Sequence, residues 1–101
     1  MEEFDIAIIG GGPAGIMAAI AASADLNIVL LEKNSSLGSK LLITGGGRCN
    51  ITNEKPIKKL LNSFHDKNFL KHSFYTFTNE MLLDLFRNRG LDFIDEDNNR
   101  V

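Results

Sequence analysis

The chain opens with an apolar segment, a glycine-rich turn, an alanine-rich segment and a second apolar segment. Phe4–Ile9 is interrupted by one acidic residue and is predicted to be a buried strand, since continuous apolar runs favour strands covered on both faces. Ile16–Ala24 has strong helix propensity, and Pro13 suits the first turn of that helix. Asn27–Leu31 is the second predicted strand. Residues 6–32 are therefore predicted to form a β-α-β unit.

The rest of the chain is predicted to be a loop followed by a helical region. Residues 33–55 are rich in Ser, Gly, Thr and Asn, yet apolar at residues 41–43, which indicates an ordered loop with a functional role. Capping residues and apolar spacing then predict three helices. They cover Pro56 to about Ser63, Lys67–Phe74 with Asp66 as cap, and a segment capped by Thr78 or Asn79 that reaches Arg89 before Gly90. Leu91–Ile94 is predicted to be a strand, Asp95–Asn99 a turn, and Arg100-Val101 the start of another strand.

Composition and charge narrow the class of protein. With 101 residues the chain forms one small domain at most, and 44% hydrophobic and 24% charged residues are ordinary for a globular protein. A net charge of −2 gives no basic field, so neither nucleic acid nor a membrane surface is an expected partner. The single cysteine, Cys49, and the acidic start favour a reducing, cytoplasmic compartment. The apolar run at residues 16–22 is too short to span a bilayer.

The glycine turn at residues 10–15 is the clearest indication of a ligand-binding site in the sequence. Gly10 lets the chain turn sharply off the strand, Gly12 lets a pyrophosphate approach the backbone, and Gly15 lets the helix pack closely on the strands. The helix N-terminus adds free N–H groups and a partial positive charge. A glycine-rich turn in another α/β fold is the alternative. The flanking strand and helix favour a dinucleotide site.

Glu32 ends the second predicted strand, 22 residues after Gly10. An acid about 20 residues after the turn is typical of the group that binds the adenosine ribose. Its carboxylate would accept hydrogen bonds from ribose hydroxyls and repel a 2′-phosphate, which favours FAD or NAD over NADP. A solvated acid at a strand end is the alternative.

A second glycine-rich segment runs from Thr44 to Asn50. Three consecutive glycines permit close approach to a flat ligand, and Arg48 offers a fork of hydrogen-bond donors. The residue types alone fit a ligand loop and a surface turn equally well.

Together these segments resemble one family. The stretch from Lys40 to Asn53, with the first glycine turn and Glu32-Lys33-Asn34, is similar to bacterial FAD-dependent flavoproteins that include aminoacetone-oxidase-like and bile-acid dehydro-steroid-reductase-like proteins. The resemblance continues to Val101, although Asn99 stands where the family usually has glycine.

The resemblance implies the N-terminal part of a Rossmann-like FAD-binding domain of glutathione-reductase type, α/β, with a helical segment after its first β-α-β unit. FAD is the implied cofactor, and NAD(P)H an electron donor of the full-length family. The implied pyrophosphate contacts are Gly10, Gly12, Pro13, Ala14 and Gly15. Glu32 would bind the ribose, Lys33 would lie beside the adenine and Lys40 near the phosphates. The implied flavin-side contacts are Gly46, Gly47, Arg48, Cys49 and Asn50.

The remaining cysteine, histidine and phenylalanine side chains give weaker evidence of function. Cys49 has no second cysteine for disulfide chemistry and is expected to be a small packed residue of the loop. His65 and His72 are expected on the surface, with no metal site. Five phenylalanines are expected to form the core of the helical part: Phe64, Phe69, Phe74, Phe77 and Phe86.

The predicted sheet is short for a complete dinucleotide-binding domain, which normally has two β-α-β halves. Residues 1–101 are therefore expected to be an incomplete N-terminal portion of such a domain. Three hypotheses stay open: the FAD-binding portion of a flavin-dependent oxidoreductase, a non-catalytic dinucleotide-binding module, and an inactive fragment. No catalytic side chain is identified.

Overall fold

The computed structural model describes residues 1–46 and 48–101 in full. They form two compact units, Met1–Cys49 and Asn50–Val101, referred to below as the first and second units.

The first unit contains the predicted β-α-β arrangement. Strand β1 is Ile6–Ile9, helix α1 is Pro13–Ala21 and strand β2 is Ile28–Leu31. The strands pair in parallel, from Ile6 opposite Ile28 to Ile9 opposite Leu31. The prediction for residues 6–32 is confirmed.

The two strands expose one apolar face more than the other. Side chains alternate along a strand, and Ile8 lies on the face where α1 packs, beside Gly15. On the opposite face, Ile9 and its partner Leu31 are 79% and 51% exposed. Both lie at the carboxyl ends of their strands, where they border the site described below.

Residues 33–49 contain more regular structure than the predicted loop. Helix α2 covers Ser39–Leu42, and a 3-10 turn follows at Thr44–Gly47. Gly38 caps α2 at its N-terminus with a positive φ of 67°. A four-residue helix among serines and glycines is too short to produce a periodic sequence signal.

The second unit contains the three predicted helices; the first and third are shorter than predicted, and the second is two residues longer. They are α3 Ile57–Leu61, α4 Lys67–Thr76 and α5 Asn79–Arg87. Both predicted caps form: Asp66 accepts the N–H of Phe69 at 3.1 Å, and Thr78 accepts the N–H of Met81 at 3.2 Å. The chain leaves α5 through Gly90, whose φ is +83°.

The C-terminal residues of the second unit depart from the predicted strands. Leu91–Ile94 is not a strand, and that prediction is wrong; instead, isolated antiparallel bridges join Arg100 to Asn53 and to Glu96. The predicted turn forms as a 3-10 turn at Asp97–Asn99. Asn99 adopts a φ of 60°. Asparagine tolerates that region better than most residues, so it suits this turn.

The core of the second unit is small and centred on Leu83, which is fully buried; Leu61 and Val101 are the other buried apolar residues. The predicted aromatic core is only partly correct. Phe64 and Phe74 pack edge to face with ring centres 5.1 Å apart, and Phe86 packs in the same way against Phe93. Phe69 is 78% exposed, and Phe64 and Phe77 are exposed at 40% and 39%, so the assignment of these three residues to the core is wrong.

Candidate functional site

A cleft of about 400 Å³ lies in the first unit, at the carboxyl ends of both strands. This is the edge where open α/β sheets bind ligands, and the volume falls within the usual range of ligand pockets. The lining comprises Ile9, Gly10, Gly11, Gly12, Pro13, Leu31, Glu32, Lys33, Asn34, Ser39 and Lys40. The cleft thus brings together six predicted site residues: Gly10, Gly12, Pro13, Glu32, Lys33 and Lys40. Ala14 and Gly15, in the first turn of α1, are not among the residues that line the cleft.

Three glycines shape the cleft in different ways. Gly10 has a φ of +98°, a conformation that side chains rarely allow. A side chain at Gly15 would run into the carbonyl group of Gly10, so this position holds the helix close to β1. A Cβ on Gly12 would meet nothing within 4 Å, so the backbone there is open to a ligand.

The N-terminus of α1 faces the same cleft through Gly12 and Pro13. Gly12 is the cap residue and provides no side-chain hydrogen bond, and the first turn contains no acid. Proline has no N–H, so Ala14 and Gly15 carry the first N–H groups of the helix. An uncapped helix start with no acid in its own first turn favours a negatively charged ligand.

Glu32 connects the end of β2 to the glycine turn. Its Oε1 accepts the N–H of Gly11 at 2.9 Å, and its Oε2 accepts the N–H of Asn34 at 2.8 Å. The N–H of Asn34, then that of Gly11, and the charge of Lys33 hold the pKa of the Glu32 carboxyl below its usual value of about 4.5. The carboxylate is therefore ionised at neutral pH.

Between the predicted residues Lys33 and Lys40, sequence reasoning missed the part played by Asn34, Leu37, Gly38 and Ser39. The N–H of Gly38 donates to the carbonyl of Gly11 at 2.8 Å, and the side chain of Leu37 lies against Gly11. Asn34 and Ser39 join the lining of the cleft. The positive φ of Gly38 is the feature that returns the chain to the glycine turn, and a glycine two residues after the Ser35-Ser36 pair was the available signal.

The cationic side chains of the cleft are Lys33, which follows β2, and Lys40, on α2. Both residues are exposed. They border a cleft whose only acidic lining residue is Glu32. The charge balance therefore suits a polyanion such as a pyrophosphate.

None of the fully described residues of the second glycine segment lines this cleft. Gly46 is exposed with a φ of +57°, and Arg48 is exposed with its N–H donating to the carbonyl of Gly45 at 3.0 Å. Cys49 is exposed, so the expectation of a packed residue is wrong. Gly47 lies outside the fully described residues. Asn50 is the first residue of the second unit and is exposed.

Metal chemistry has no support among the described residues, where no three His, Cys, Asp or Glu side chains gather around a common point. His65 and His72 are both exposed, as predicted. None of the helices described in full has the length and apolar character needed to cross a membrane.

The parallel strand pair, the glycine turn and the acid at the end of β2 define a Rossmann-type dinucleotide-binding unit. The model of the HI0933-like protein Rossmann domain matches residues 4–101, and the chain belongs to this family. The predicted fold class, a Rossmann-like FAD-binding domain, is confirmed.

Several curated proteins are similar to parts of this chain. A 3-dehydro-bile acid delta(4,6)-reductase of Clostridium scindens is 54% identical over 52 residues, which are 48% of this chain and 13% of that protein. A ribosomal RNA dihydrouridine synthase of Escherichia coli is 37% identical over 90% of this chain and 23% of its own length. A mitochondrial dihydrolipoyl dehydrogenase of Caenorhabditis elegans is 39% identical over 72% of this chain and 13% of its own length. The chain thus spans less than a quarter of these relatives.

Proposed function

We propose that the first unit binds FAD through the adenosine and pyrophosphate half of the cofactor. The convergence of the open Gly12 backbone, the uncapped start of α1 and the ionised Glu32 in one cleft supports this assignment. Bound flavin supplies the electron-transfer chemistry, and the chain supplies binding and orientation.

The proposed roles follow the chemistry of each residue. The turn at Gly10, Gly12, Pro13, Ala14 and Gly15 holds the pyrophosphate, and Lys40 adds positive charge beside it. Glu32 accepts hydrogen bonds from the ribose hydroxyls, and Lys33 lies beside the adenine. Gly46, Gly47, Arg48, Cys49 and Asn50 lie along the flavin side of the cofactor.

For the whole protein we propose a cytoplasmic FAD-dependent oxidoreductase with NAD(P)H as electron donor. Relatives named as reductases and dehydrogenases support this activity, and the single cysteine supports a reducing compartment. We also propose that residues 1–101 are the N-terminal portion of a larger FAD-binding domain. The exposure of Ile9 and Leu31 supports this, since parallel sheets normally have both faces covered.

Binding of FAD, ADP and FMN to the purified chain tests the proposal. FMN lacks the adenosine half, so we expect FAD and ADP to bind at least about tenfold more tightly than FMN. Glu32→Gln is expected to weaken ADP binding, while Glu2→Gln removes the same charge from an exposed position of the first unit and serves as control. Equal affinity for FAD and FMN, or no affinity for FAD, contradicts the proposal. FAD bound without electron acceptance from NAD(P)H favours a non-catalytic module.

A 2′-phosphate provides a second test of the ribose assignment. ADP carrying a 2′-phosphate would place its charge beside the Glu32 carboxylate, so we expect weaker binding than for ADP. Glu32→Gln should reduce the difference in affinity between ADP and its 2′-phosphorylated form. An unchanged preference in the variant would contradict the placement of the ribose at Glu32.

A further inference from the structure

We propose that Glu32 is also a positioning residue, which sets the conformation of the glycine turn before any ligand arrives. The proposal rests on the proposed function for its ligand and adds a second role for the same carboxylate. In that role Glu32 acts through the backbone of Gly11 and Asn34.

Each oxygen of the Glu32 carboxylate accepts a hydrogen bond from a different segment of the chain. Oε1 receives the N–H of Gly11, 21 residues earlier in the chain, and Oε2 receives the N–H of Asn34, two residues later. Gly11 is buried, and its carbonyl is held in turn by the N–H of Gly38. Both polar groups of Gly11 are thus fixed by the segment that follows β2.

An ionised carboxylate can make these bonds and still bind a ribose. Its two oxygens offer about four lone-pair positions, of which the two N–H groups use one on each oxygen. The remaining positions are available to ligand hydroxyls. Glutamine cannot reproduce this arrangement, because its NH₂ group would face one of the two N–H donors.

The arrangement orients the part of the backbone that meets the ligand. Gly11 lies between Gly10, with its positive φ, and Gly12, which caps α1. Fixing the Gly11 N–H therefore restricts the turn between β1 and the helix start. A site restricted in advance loses less conformational freedom when its ligand binds.

Nucleotides with and without ribose hydroxyls separate the two roles of Glu32. We would measure the affinities of ADP and 2′,3′-dideoxy-ADP for the 101-residue chain, its Glu32→Gln variant and the Glu2→Gln control. If Glu32 positions the turn, Glu32→Gln lowers the affinity for dideoxy-ADP as well as for ADP, in each case by at least about fivefold. If Glu32 acts only on the ribose, the variant and the wild type bind dideoxy-ADP equally, and the proposal is overturned.

Hydrogen exchange and chemical shifts of backbone amides in the ligand-free chain test the positioning role of Glu32 without any nucleotide. The amide protons of Gly11 and Asn34 should exchange slowly, and Glu32→Gln should accelerate the exchange of both by at least about tenfold.

If the Glu32→Gln variant does not fold, acid titration of the wild type replaces the exchange experiment. Both amide proton signals should then shift together as the carboxylate, which interacts with the charge of Lys33 and shares its cleft with Lys40, becomes protonated. Independent titration of the two signals, or fast exchange in the wild type, overturns the proposal. A wild type that binds neither nucleotide contradicts the proposed function, while linked titration in that chain still supports the positioning of the turn.

Discussion

Gly15 and Gly10 pack so closely that the first turn of α1 lies against the carbonyl group of Gly10, the residue that follows β1. The neighbour at this position is backbone, which cannot move aside as the end of a flexible side chain can. The spacing of glycines in the turn thus has two distinct causes. Gly15 permits helix–strand packing, whereas Gly12 borders open space.

We predict opposite results for alanine at these two positions. Gly15→Ala should destabilise the first unit by about 1–3 kcal/mol, as is typical of overpacking, and binding should be lost with the fold. Gly12→Ala should leave the free energy of unfolding within about 0.5 kcal/mol, since its φ of −82° suits any residue. Its methyl group would nevertheless enter the cleft and weaken FAD binding. Urea unfolding and FAD titration of both variants check this; equal stability losses would contradict it.

Acid should remove the stabilisation that Glu32 provides. Because its pKa is lowered in the folded chain, the ionised carboxylate stabilises the fold at pH values above its usual pKa of about 4.5. This stabilisation is lost as the pH falls through the lower, folded-state pKa. We therefore expect the stability gap between wild type and Glu32→Gln to be largest near neutral pH and to shrink in acid. Urea unfolding over a pH series measures the gap, and Glu2→Gln should show none. A gap that does not vary with pH would rule out the ionised carboxylate as its source.

Asn79 stabilises the second unit through a buried amide. Its Nδ2 donates to the carbonyls of Asn53 at 2.6 Å and Lys55 at 2.9 Å, and the residue is 8% exposed. Asn79→Ala should cost about 1–3 kcal/mol, since both carbonyls lose a donor. Asn79→Asp should cost more at neutral pH, because a carboxylate would face two carbonyl oxygens.

Thermal unfolding of both variants measures these costs. Asn68→Ala, on the exposed part of α4, is the control and should be close to neutral. An Asp variant as stable as wild type at neutral pH would show that the Asn79 amide does not hold these carbonyls.

Leu83 should be the most sensitive apolar position of the second unit. It is fully buried, whereas Met81 on the same helix is 45% exposed. Leu83→Ala is expected to cost about 2–5 kcal/mol through lost burial and a residual cavity. Met81→Ala should cost under about 1 kcal/mol. Denaturant unfolding midpoints of the two variants measure these costs. Similar losses of stability in both variants would show that the core is not centred on Leu83.

The β-α-β unit could be predicted because its signals are local. Apolar runs bracket a turn whose glycines and proline restrict the backbone in known ways, and Asp66 and Thr78 cap helices by local hydrogen bonds. Leu91–Ile94 shows the limit of such signals. It has the composition of a strand, but a strand also needs a partner to pair with, and the apolar run does not provide one.

The double hydrogen bond of Glu32 could not be read from the sequence. The spacing from Gly10 indicates an acid near the ribose, but it does not show where the two carboxylate oxygens point. That depends on the register of β2 against β1 and on the return of the chain through Gly38. Similarly, Leu82, Leu85 and Phe86 have the i, i+3 and i+4 spacing of one apolar helix face, but tertiary packing buries Leu83 most completely.

The most direct test of FAD binding by the first unit is to titrate the ¹⁵N-labelled chain with FAD and follow its amide signals. We predict that the largest shifts occur at Gly11, Gly12, Ala14 and Asn34, around the cleft, and that ADP reproduces them. Shifts confined to residues 50–101, or no shifts at saturating FAD, would contradict the assignment of the cleft.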